Sequence, residues 1–252
     1  MTLVSLSIFL PLGTGKQSLA QETEQNVSLE EVIKNTQELL GQTVSVRGET
    51  EEVDSGTTFI LSSEQGVFSV FGEDEVLVIN INNQPSTLPK NDADVQITGQ
   101  VTEFVREDIE LEYGLDLDPE LYAEYELKPA IIATSIALAP EPGEVTKEPQ
   151  AYYDKKVAIE GKVKNIVGTN VFTLDEDQLI DGSDLIVVDL INESLPTADE
   201  EVLIMGTIRP YAKGDLERDY DLAWDSEVQE KIEAEYSKLP VLILDSIQSL
   251  AE

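Results

Sequence analysis

The second half of the chain repeats the first half. A block of matching residues between positions 32 and 61 recurs 113 residues later, so that Gly48 corresponds to Gly161. The block comprises Val32, Lys34, Gln37, Val44, Gly48, Phe59 and Leu61 in the first copy and Val145, Lys147, Gln150, Val157, Gly161, Phe172 and Leu174 in the second. A block of this length is hard to produce by chance, and it indicates that the chain builds one folding unit twice.

Two later blocks continue the repeat at slightly different spacings. One has a spacing of 107 residues and the other of 111, so the second copy lost six residues and then regained four, about one helical turn. The blocks pair Val95, Gly99, Glu110, Tyr113, Leu115 and Asp118 with Val202, Gly206, Glu217, Tyr220, Leu222 and Asp225, and then Pro129, Ile132, Ser135 and Ile136 with Pro240, Ile243, Ser246 and Ile247. We therefore predict two domains, at 28–139 and 144–252, with a short stiff linker over 137–143.

Both copies show the period of β-strands. Apolar and polar residues alternate through 44–50 and 95–101, and again through 157–163 and 202–208, as in strands with one buried face. Other apolar runs predict strands at 57–61, 76–81 and 130–136 in the first copy and at 171–174, 185–188 and 241–247 in the second. A glycine in mid-strand costs stability, so Gly48, Gly99 and their counterparts predict bulges or the sharp coiling that a small barrel needs.

Helices are expected to be few. Ser28 begins a capping box with Glu31, ahead of a helical pattern that Gly41 ends. A second helix is predicted from Asp118, and a longer counterpart after Asp225. Each copy therefore carries a helical excursion before its last strand, by which we mean the chain between its fourth and fifth strands.

This order of elements resembles the oligonucleotide/oligosaccharide-binding (OB) fold. The resemblance rests on a hydrophobic-x-hydrophobic-x-Gly strand, a Phe-x-Leu strand, a third apolar strand and another strand with a central Gly, at 44–50, 59–61, 77–79 and 95–101 and again in the second copy. It covers nearly all of the chain after residue 28 and is closest to exported OB-like proteins of bacteria, including cyanobacteria, of uncharacterised function. It implies a mainly β chain with short helices, folded as two tandem small OB-like β-barrels. An OB helix usually lies between the third and fourth strands, whereas here it follows the fourth, which leaves a different five- or six-stranded barrel open.

Acidic residues dominate the charge of the chain. There are 51 Asp and Glu against 16 Lys and Arg, a net charge of -35. A field of this sign repels nucleic acid and anionic membranes, and it favours cations, basic partners or simple solubility. The chain has no Cys and no His, which excludes Cys nucleophiles, zinc sites with thiolate or imidazole ligands, and Ser-His-Asp triads.

The N-terminal residues 1–24 are predicted to be a signal peptide. An apolar run over 3–12 precedes Ser18-Leu19-Ala20, in which Ser18 and Ala20 are small residues at the positions that a signal peptidase reads, although no basic residue comes before the run. The run is too short to cross a membrane. We expect export to a periplasm, a lumen or the extracellular space, with no membrane span in the mature chain. The alternative is an N-terminal strand or helix that packs on the barrel.

The excursions carry the candidate functional residues. No cofactor is expected, and Ca²⁺ is the alternative. Its candidate site is a cluster of carboxylates in the second copy: Asp215, Glu217, Asp219, Asp221 and Asp225. Aromatic residues among the acids are candidate partner-binding residues: Tyr113, Tyr220 and Trp224. They belong to apolar stripes that anchor the excursion on its own barrel or face a partner. The stripes are Leu111, Tyr113, Leu115 and Leu117, and Leu216, Tyr220, Leu222 and Trp224.

The sequence favours an exported, non-enzymatic binding module. Its partner would be a protein or a cell-envelope component, met through acidic surfaces, with Ca²⁺ binding as the alternative and a carboxylate-based hydrolase as the third hypothesis. Nucleic acid is not expected, because one small group of lysines, Lys155, Lys156, Lys162 and Lys164, is better explained by edge protection or by pairing with nearby acids.

Overall fold

A computed structural model describes residues 25–52, 57–63, 75–81, 91–175, 184–191, 195–220 and 226–250. In the first copy these residues form β1 (Gln25–Asn26), α1 (Leu29–Lys34), α2 (Thr36–Leu39), β2 (Thr43–Glu52), β3 (Thr58–Ser62), β4 (Glu75–Asn80), β5 (Asp94–Glu103), α3 (Arg106–Tyr113), a 3-10 turn (Ala123–Tyr125) and β6 (Pro129–Leu138). In the second they form α4 (Pro142–Lys147), a 3-10 turn (Pro149–Ala151), β7 (Lys156–Gly168), β8 (Val171–Leu174), β9 (Leu185–Asp189), β10 (Glu201–Pro210), α5 (Lys213–Tyr220), α6 (Ser226–Glu235) and β11 (Pro240–Ser249). The predicted signal peptide lies outside the described residues.

Five strands of each copy close into a barrel. In the first barrel β2 pairs antiparallel with β3 and β3 with β4, β4 pairs parallel with β6, and β6 and β2 both pair antiparallel with β5. In the second barrel β7, β8, β9, β11 and β10 pair in the same order and the same directions. This is a five-stranded Greek-key barrel of the OB type. The predicted fold class is confirmed, including the helices that precede the last strand of each copy.

The mid-strand glycines stand where the barrel bends. β2 pairs with β5 as far as Glu49 and with β3 from Glu49 onward, so Gly48 lies where the strand passes from one partner to the next. A Cβ at Gly48 would come within 2.5 Å of the Ser62 carbonyl oxygen. The register with the neighbouring strand shifts next to Gly99 in β5 and next to Gly206 in β10. The extra residue belongs to the last strand, Thr134 in β6 and Asp245 in β11, so in both copies a bulge lies opposite the central glycine of the fourth strand.

The segment between the two copies is shorter than the linker predicted over 137–143. β6 continues to Leu138 and α4 begins at Pro142, so only 139–141 separate them. The Glu141 side chain accepts from the backbone of Glu144, and the Glu144 side chain from the backbone of Glu141, which is a capping box that starts α4 early.

The helix predicted from Asp118 is also wrong. The Asp118 side chain accepts a bond from the Glu120 N–H at 2.8 Å, and this turn replaces the first turn of a helix.

The two barrels are in contact. Leu138 of β6 pairs in parallel with Val157 of β7, and Ala137 lies with Ala158 and Leu203 in a small buried apolar cluster. The side-chain amide of Asn26 donates to the Gln248 side-chain oxygen at 2.6 Å. Polar and apolar contacts thus join the barrels along the outer faces of their strands.

Candidate functional site

The first excursion, residues 104–128, covers the outer face of its own barrel. β3 and β4 are apolar on both faces, because one face fills the barrel and the other carries Ile60, Leu77 and Ile79. These three side chains pack under residues of the excursion: Phe104, Ile109, Leu117 and Tyr122. In OB folds the face of the second and third strands is the one that holds ligands. Here that face is occupied by the chain itself.

The second excursion, residues 211–239 as far as the structure describes them, does the same. Val171 of β8 and Ile186 and Val188 of β9 form the outer face. They pack with Leu216 of α5, Ile232 of α6 and Tyr236. Both barrels therefore have two apolar layers, one inside the barrel and one between the strands and the excursion.

Tyr122 fastens the first excursion to β3. Its side chain is 1% exposed, and its hydroxyl lies 2.6 Å from the Thr58 hydroxyl. The Tyr122 ring contacts Phe104 and Tyr125, with ring centroids 6.0 Å and 6.5 Å apart. The Lys128 ammonium lies 5.6 Å from the centroid of the Tyr125 ring. A buried polar contact inside an apolar layer fixes the position of the excursion on the sheet.

Two of the three predicted partner-binding aromatics lie at the rim of these apolar layers. Tyr113 and Tyr220 are half-buried against the outer layers of the first and second barrels. Burial first, and then a hydrogen bond with Glu112, raise the pKa of Tyr113. Trp224 lies outside the described residues. Contact with a partner at these aromatics stays a prediction.

Leu111 departs from the predicted apolar stripe. Leu117 and Leu216 are buried, as an anchoring stripe requires, but Leu111 is 87% exposed. The reason is that residues 106–113 form the helix α3 rather than an extended segment. A helix that buries Ile109 and half-buries Tyr113 turns Leu111 to the opposite side.

The predicted Ca²⁺ ligands are only partly within the described residues. The Asp215 side chain pairs with Arg218 at 2.9 Å and is exposed. Asp221 and Asp225, and the side chains of Glu217 and Asp219, lie outside the described residues. Among the side chains that the structure does describe, no three carboxylates converge on a position that could hold a metal ion. Calcium binding stays a prediction.

The outer side of α3 is an acidic surface around one leucine. Its exposed residues are Glu107, Asp108, Leu111 and Glu112. On the inner side, Arg106 pairs with Glu110 at 2.5 Å. The Glu110 carboxylate also accepts a bond from the Leu117 N–H at 2.9 Å, and these two bonds, the backbone bond above all, hold the pKa of Glu110 below its ordinary value. The inner network fixes the helix, and the outer acids remain on the surface.

Leu127 lies near the N-terminal end of α3. Its N–H donates to the Phe104 carbonyl at 2.8 Å, and the neighbouring Glu126 carboxylate accepts from the Arg106 N–H at 3.2 Å. The Leu127 side chain is 68% exposed. Sequence reasoning did not single out this residue. The signal that could have found it, and Leu111 with it, is that the second copy has charged residues at both positions, Arg218 and Lys238.

Two of the four lysines grouped in the second copy, Lys156 and Lys164, pair with acids, which is one of the two explanations that the sequence offers. Lys164 lies 2.8 Å from Asp175 and 2.9 Å from Asp184, and Lys156 lies 3.1 Å from Asp245. Hydrogen bonds to Asp175 and Asp184 raise the pKa of Lys164 above its usual range. These two lysines are part of the surface charge balance of the second barrel.

Comparisons with known proteins place the chain in no family. No family model matches it, and no curated protein matches it. Among solved structures, it is similar to a deletion mutant of the single-stranded DNA binding protein from Thermus aquaticus, with 12% identity over 84% of this chain and 95% of that chain. The TM-score is 0.21, which is too low to support an argument about fold or function. Within the described part of the chain, none of the helices has the length and apolarity needed to cross a membrane.

Proposed function

We propose that this protein is an exported, non-catalytic binding protein that holds a basic segment of another protein on the acidic outer surface of its excursions. The observation that carries the proposal is the apolar layer under each excursion. Because the usual ligand face of the barrel is filled by the chain, a ligand must meet the outer surface instead.

The charge of that outer surface decides the class of partner. Exposed carboxylates occupy the first excursion from α3 to β6, at Glu107, Asp108, Glu112, Asp116, Asp118, Glu120, Glu124 and Glu126. Cations in the same stretch are limited to Arg106 and Lys128. Such a surface repels phosphates and anionic lipids and attracts Lys- and Arg-rich chains. A basic protein is therefore favoured over a nucleic acid or a lipid surface.

Export is the second component of the proposal. It is supported by the predicted signal peptide over 1–24 and by the resemblance to exported OB-like proteins. A non-catalytic role is supported by the sequence, which lacks the His and Cys on which many hydrolases depend.

Calorimetric titration of the full chain tests the binding function. The probes are an amphipathic Lys/Leu peptide, a Glu/Leu peptide of the same length and a single-stranded oligothymidylate, at an ionic strength of about 0.15 M. We expect heat of binding with the Lys/Leu peptide alone, and weaker binding as salt is raised. Binding of the oligothymidylate, or no binding of the Lys/Leu peptide at low salt, would contradict the proposal.

A charge-matched pair of variants locates the effect. The variant Glu107→Gln, Asp108→Asn and Glu112→Gln removes three charges from the outer side of α3. The control variant Glu38→Gln, Glu148→Gln and Glu201→Gln removes three exposed charges elsewhere. We expect the first variant to bind the Lys/Leu peptide more weakly than the control, because short-range attraction depends on the local acids more than on net charge.

A further inference from the structure

Two leucines of the first excursion face solvent within its acidic surface. Leu111 is 87% exposed and Leu127 is 68% exposed, the two highest values among the large apolar side chains that the structure describes. A single exposed leucine is ordinary in a folded protein. These two leucines indicate a binding surface because of the acids around them and because the second copy has other residues at both positions.

The second copy shows that the fold does not need leucine at either position. Leu111 corresponds to Arg218 at the spacing of 107 residues, and Leu127 corresponds to Lys238 at the spacing of 111. Arg218 pairs with Asp215 on the outside of α5, and Lys238 is exposed. The same barrel and the same kind of excursion thus form with cations at both places. The leucines are a feature of the first copy alone.

Leu127 is held in a backbone conformation that leucine rarely adopts. Its φ angle is 63°, in the left-handed region that favours Gly or Asn. The bonds around it, from its own N–H to Phe104 and from the Arg106 N–H to Glu126, keep the residue in this position. A strained backbone conformation that is kept at an exposed apolar residue is typical of a functional position.

The two leucines are tied to one helix. Leu127 is bonded to the residue that leads into α3, and Leu111 lies five residues after Arg106, about 7.5 Å along the helix axis. Glu107, Asp108 and Glu112 share the outer side of the helix with Leu111. Apart from Lys128, next to Leu127, the exposed charges of this excursion are acidic. Apolar anchors in a surface with one predominant sign of charge are the pattern of an interface whose partner carries the opposite charge.

We propose that Leu111 and Leu127 are the anchors of a docking surface for a Lys- or Arg-rich amphipathic segment of another protein, specific to the first barrel. The apolar side chains of the segment cover the two leucines, and its cations meet Glu107, Asp108 and Glu112. This inference rests on the proposed function and adds to it which copy binds and through which side chains. The second excursion, with cations at the same positions, does not offer this surface.

The test uses the full chain and the variant Leu111→Gln with Leu127→Gln, which leaves the net charge unchanged. The control is Ile166→Gln with Ile191→Gln, two exposed apolar residues of the second copy. A second test variant, Leu111→Arg with Leu127→Lys, has the residues with which the second copy forms its own excursion, and it should also bind the Lys/Leu peptide more weakly than the control. The probes are the amphipathic Lys/Leu peptide and a Lys/Gln peptide of equal charge and length.

We expect the Leu111→Gln, Leu127→Gln variant to bind the Lys/Leu peptide at least about tenfold more weakly. The reason is that two anchors no longer bury apolar surface in the complex, and the binding free energy lost in this way corresponds to more than a tenfold change in affinity. The difference should persist at about 0.5 M salt, where exposed charges are screened. The Lys/Gln peptide should bind the wild type and this variant equally. The control variant should bind both peptides as the wild type does.

The outcomes separate the two proposals. If the Lys/Leu peptide binds the wild type and Leu111→Gln, Leu127→Gln equally, or if the control variant loses as much, the docking surface is wrong while binding of basic segments stands. If neither basic peptide binds the wild type at any salt concentration, the proposed function itself fails. Melting curves of each variant establish that the fold is intact.

Discussion

Arg47 and Glu160 occupy the same position in the two copies, and they face each other across the junction of the barrels with Nη1 3.2 Å from Oε1. Each residue directly precedes the glycine of its first strand. The copies therefore meet, at this point, through corresponding residues, one basic and one acidic. The Arg47 guanidinium also donates from Nη2 to the Ala139 carbonyl at 2.5 Å, so this side chain connects three segments.

Replacement of Arg47 should cost more stability than replacement of Glu160. The ion pair is partly exposed, and a pair of this kind contributes roughly 0.2–1 kcal/mol. Arg47→Met also removes the bond to the carbonyl of Ala139, a residue that is 1% exposed, and this adds about 1 kcal/mol. Urea unfolding of Arg47→Met, Glu160→Gln and the double variant measures both quantities. Equal losses for the two single variants would mean that the bond to Ala139 does not contribute.

The central glycines of the fourth strands, which lie opposite the bulges of the last strands, should resist substitution. A Cβ at Gly99 would overlap the Ile132 carbonyl oxygen, and a Cβ at Gly206 would overlap that of Ile243. Gly99→Ala and Gly206→Ala should each cost about 1–3 kcal/mol or more, because the obstacle is backbone. Gly214→Ala in α5, where nothing lies within 4 Å of the added carbon, is the control and should be neutral or slightly stabilising. Urea midpoints decide, and a cost at Gly99 no larger than that at Gly214 would refute the bulge geometry.

Glu110 should make the first excursion sensitive to acid. The Leu117 N–H and the Arg106 guanidinium bond the charged carboxylate, and so the pKa of Glu110 is lower in the folded chain than its ordinary value of 4.5. A carboxyl of this kind stabilises the fold above its unfolded pKa and loses that effect as pH falls through the folded value. The melting temperature of the wild type should exceed that of Glu110→Gln at pH 7, and the gap should close below about pH 4.5. A gap that does not change between pH 7 and pH 3 would show that the charge of Glu110 is not involved.

A charge reversal between the copies suggests a stabilising substitution. Burial and the carboxylates of Glu51 and Glu124 raise the pKa of Glu75, so its charged form is less stable in the folded chain than in water. Asp184 corresponds to Glu75 in the strand register, and it pairs with Lys164, which corresponds to Glu51. Glu51→Lys should therefore raise stability at pH 7 by roughly 0.2–1 kcal/mol.

Glu38→Lys is the matched control for this substitution, since it makes the same change in net charge at an exposed helix residue. The advantage of Glu51→Lys over Glu38→Lys should shrink at low pH, because Glu75 becomes neutral as pH falls through its raised pKa. Equal melting temperatures of the two variants at pH 7 would show that the gain in stability comes from the change in net charge and not from the contact with Glu75.

The sequence was sufficient for the strands and for their bends. Alternation around Val44 and Val95 indicated one buried face per strand. The central glycines Gly99 and Gly206 predicted bulges, and the bulges lie in the strands opposite them. The register of the repeat also placed the helical excursion before the last strand in both copies. These features depend on local patterns, which a repeated sequence presents twice.

The sequence does not show that the excursion covers the outer face of the second and third strands of each barrel. Continuous apolar runs such as Thr58–Ser62 indicate burial on both faces, but they do not say that the cover is the chain's own excursion. Leu111 was misjudged because a stripe at every second residue looks extended, whereas α3 imposes the period of a helix. The contact between Arg47 and Glu160 depends on how the barrels pack, which no local pattern encodes.

The first excursion occupies the usual ligand face of its barrel, and we propose that its outer side binds a basic segment. The most direct measurement is a titration of the isotope-labelled full chain with the Lys/Leu peptide, followed by backbone amide chemical shifts. We expect shifts over Arg106–Tyr113 and around Leu127, with the amides of β3 and β4 unchanged. Shifts confined to β3 and β4, or to the second barrel, would contradict it.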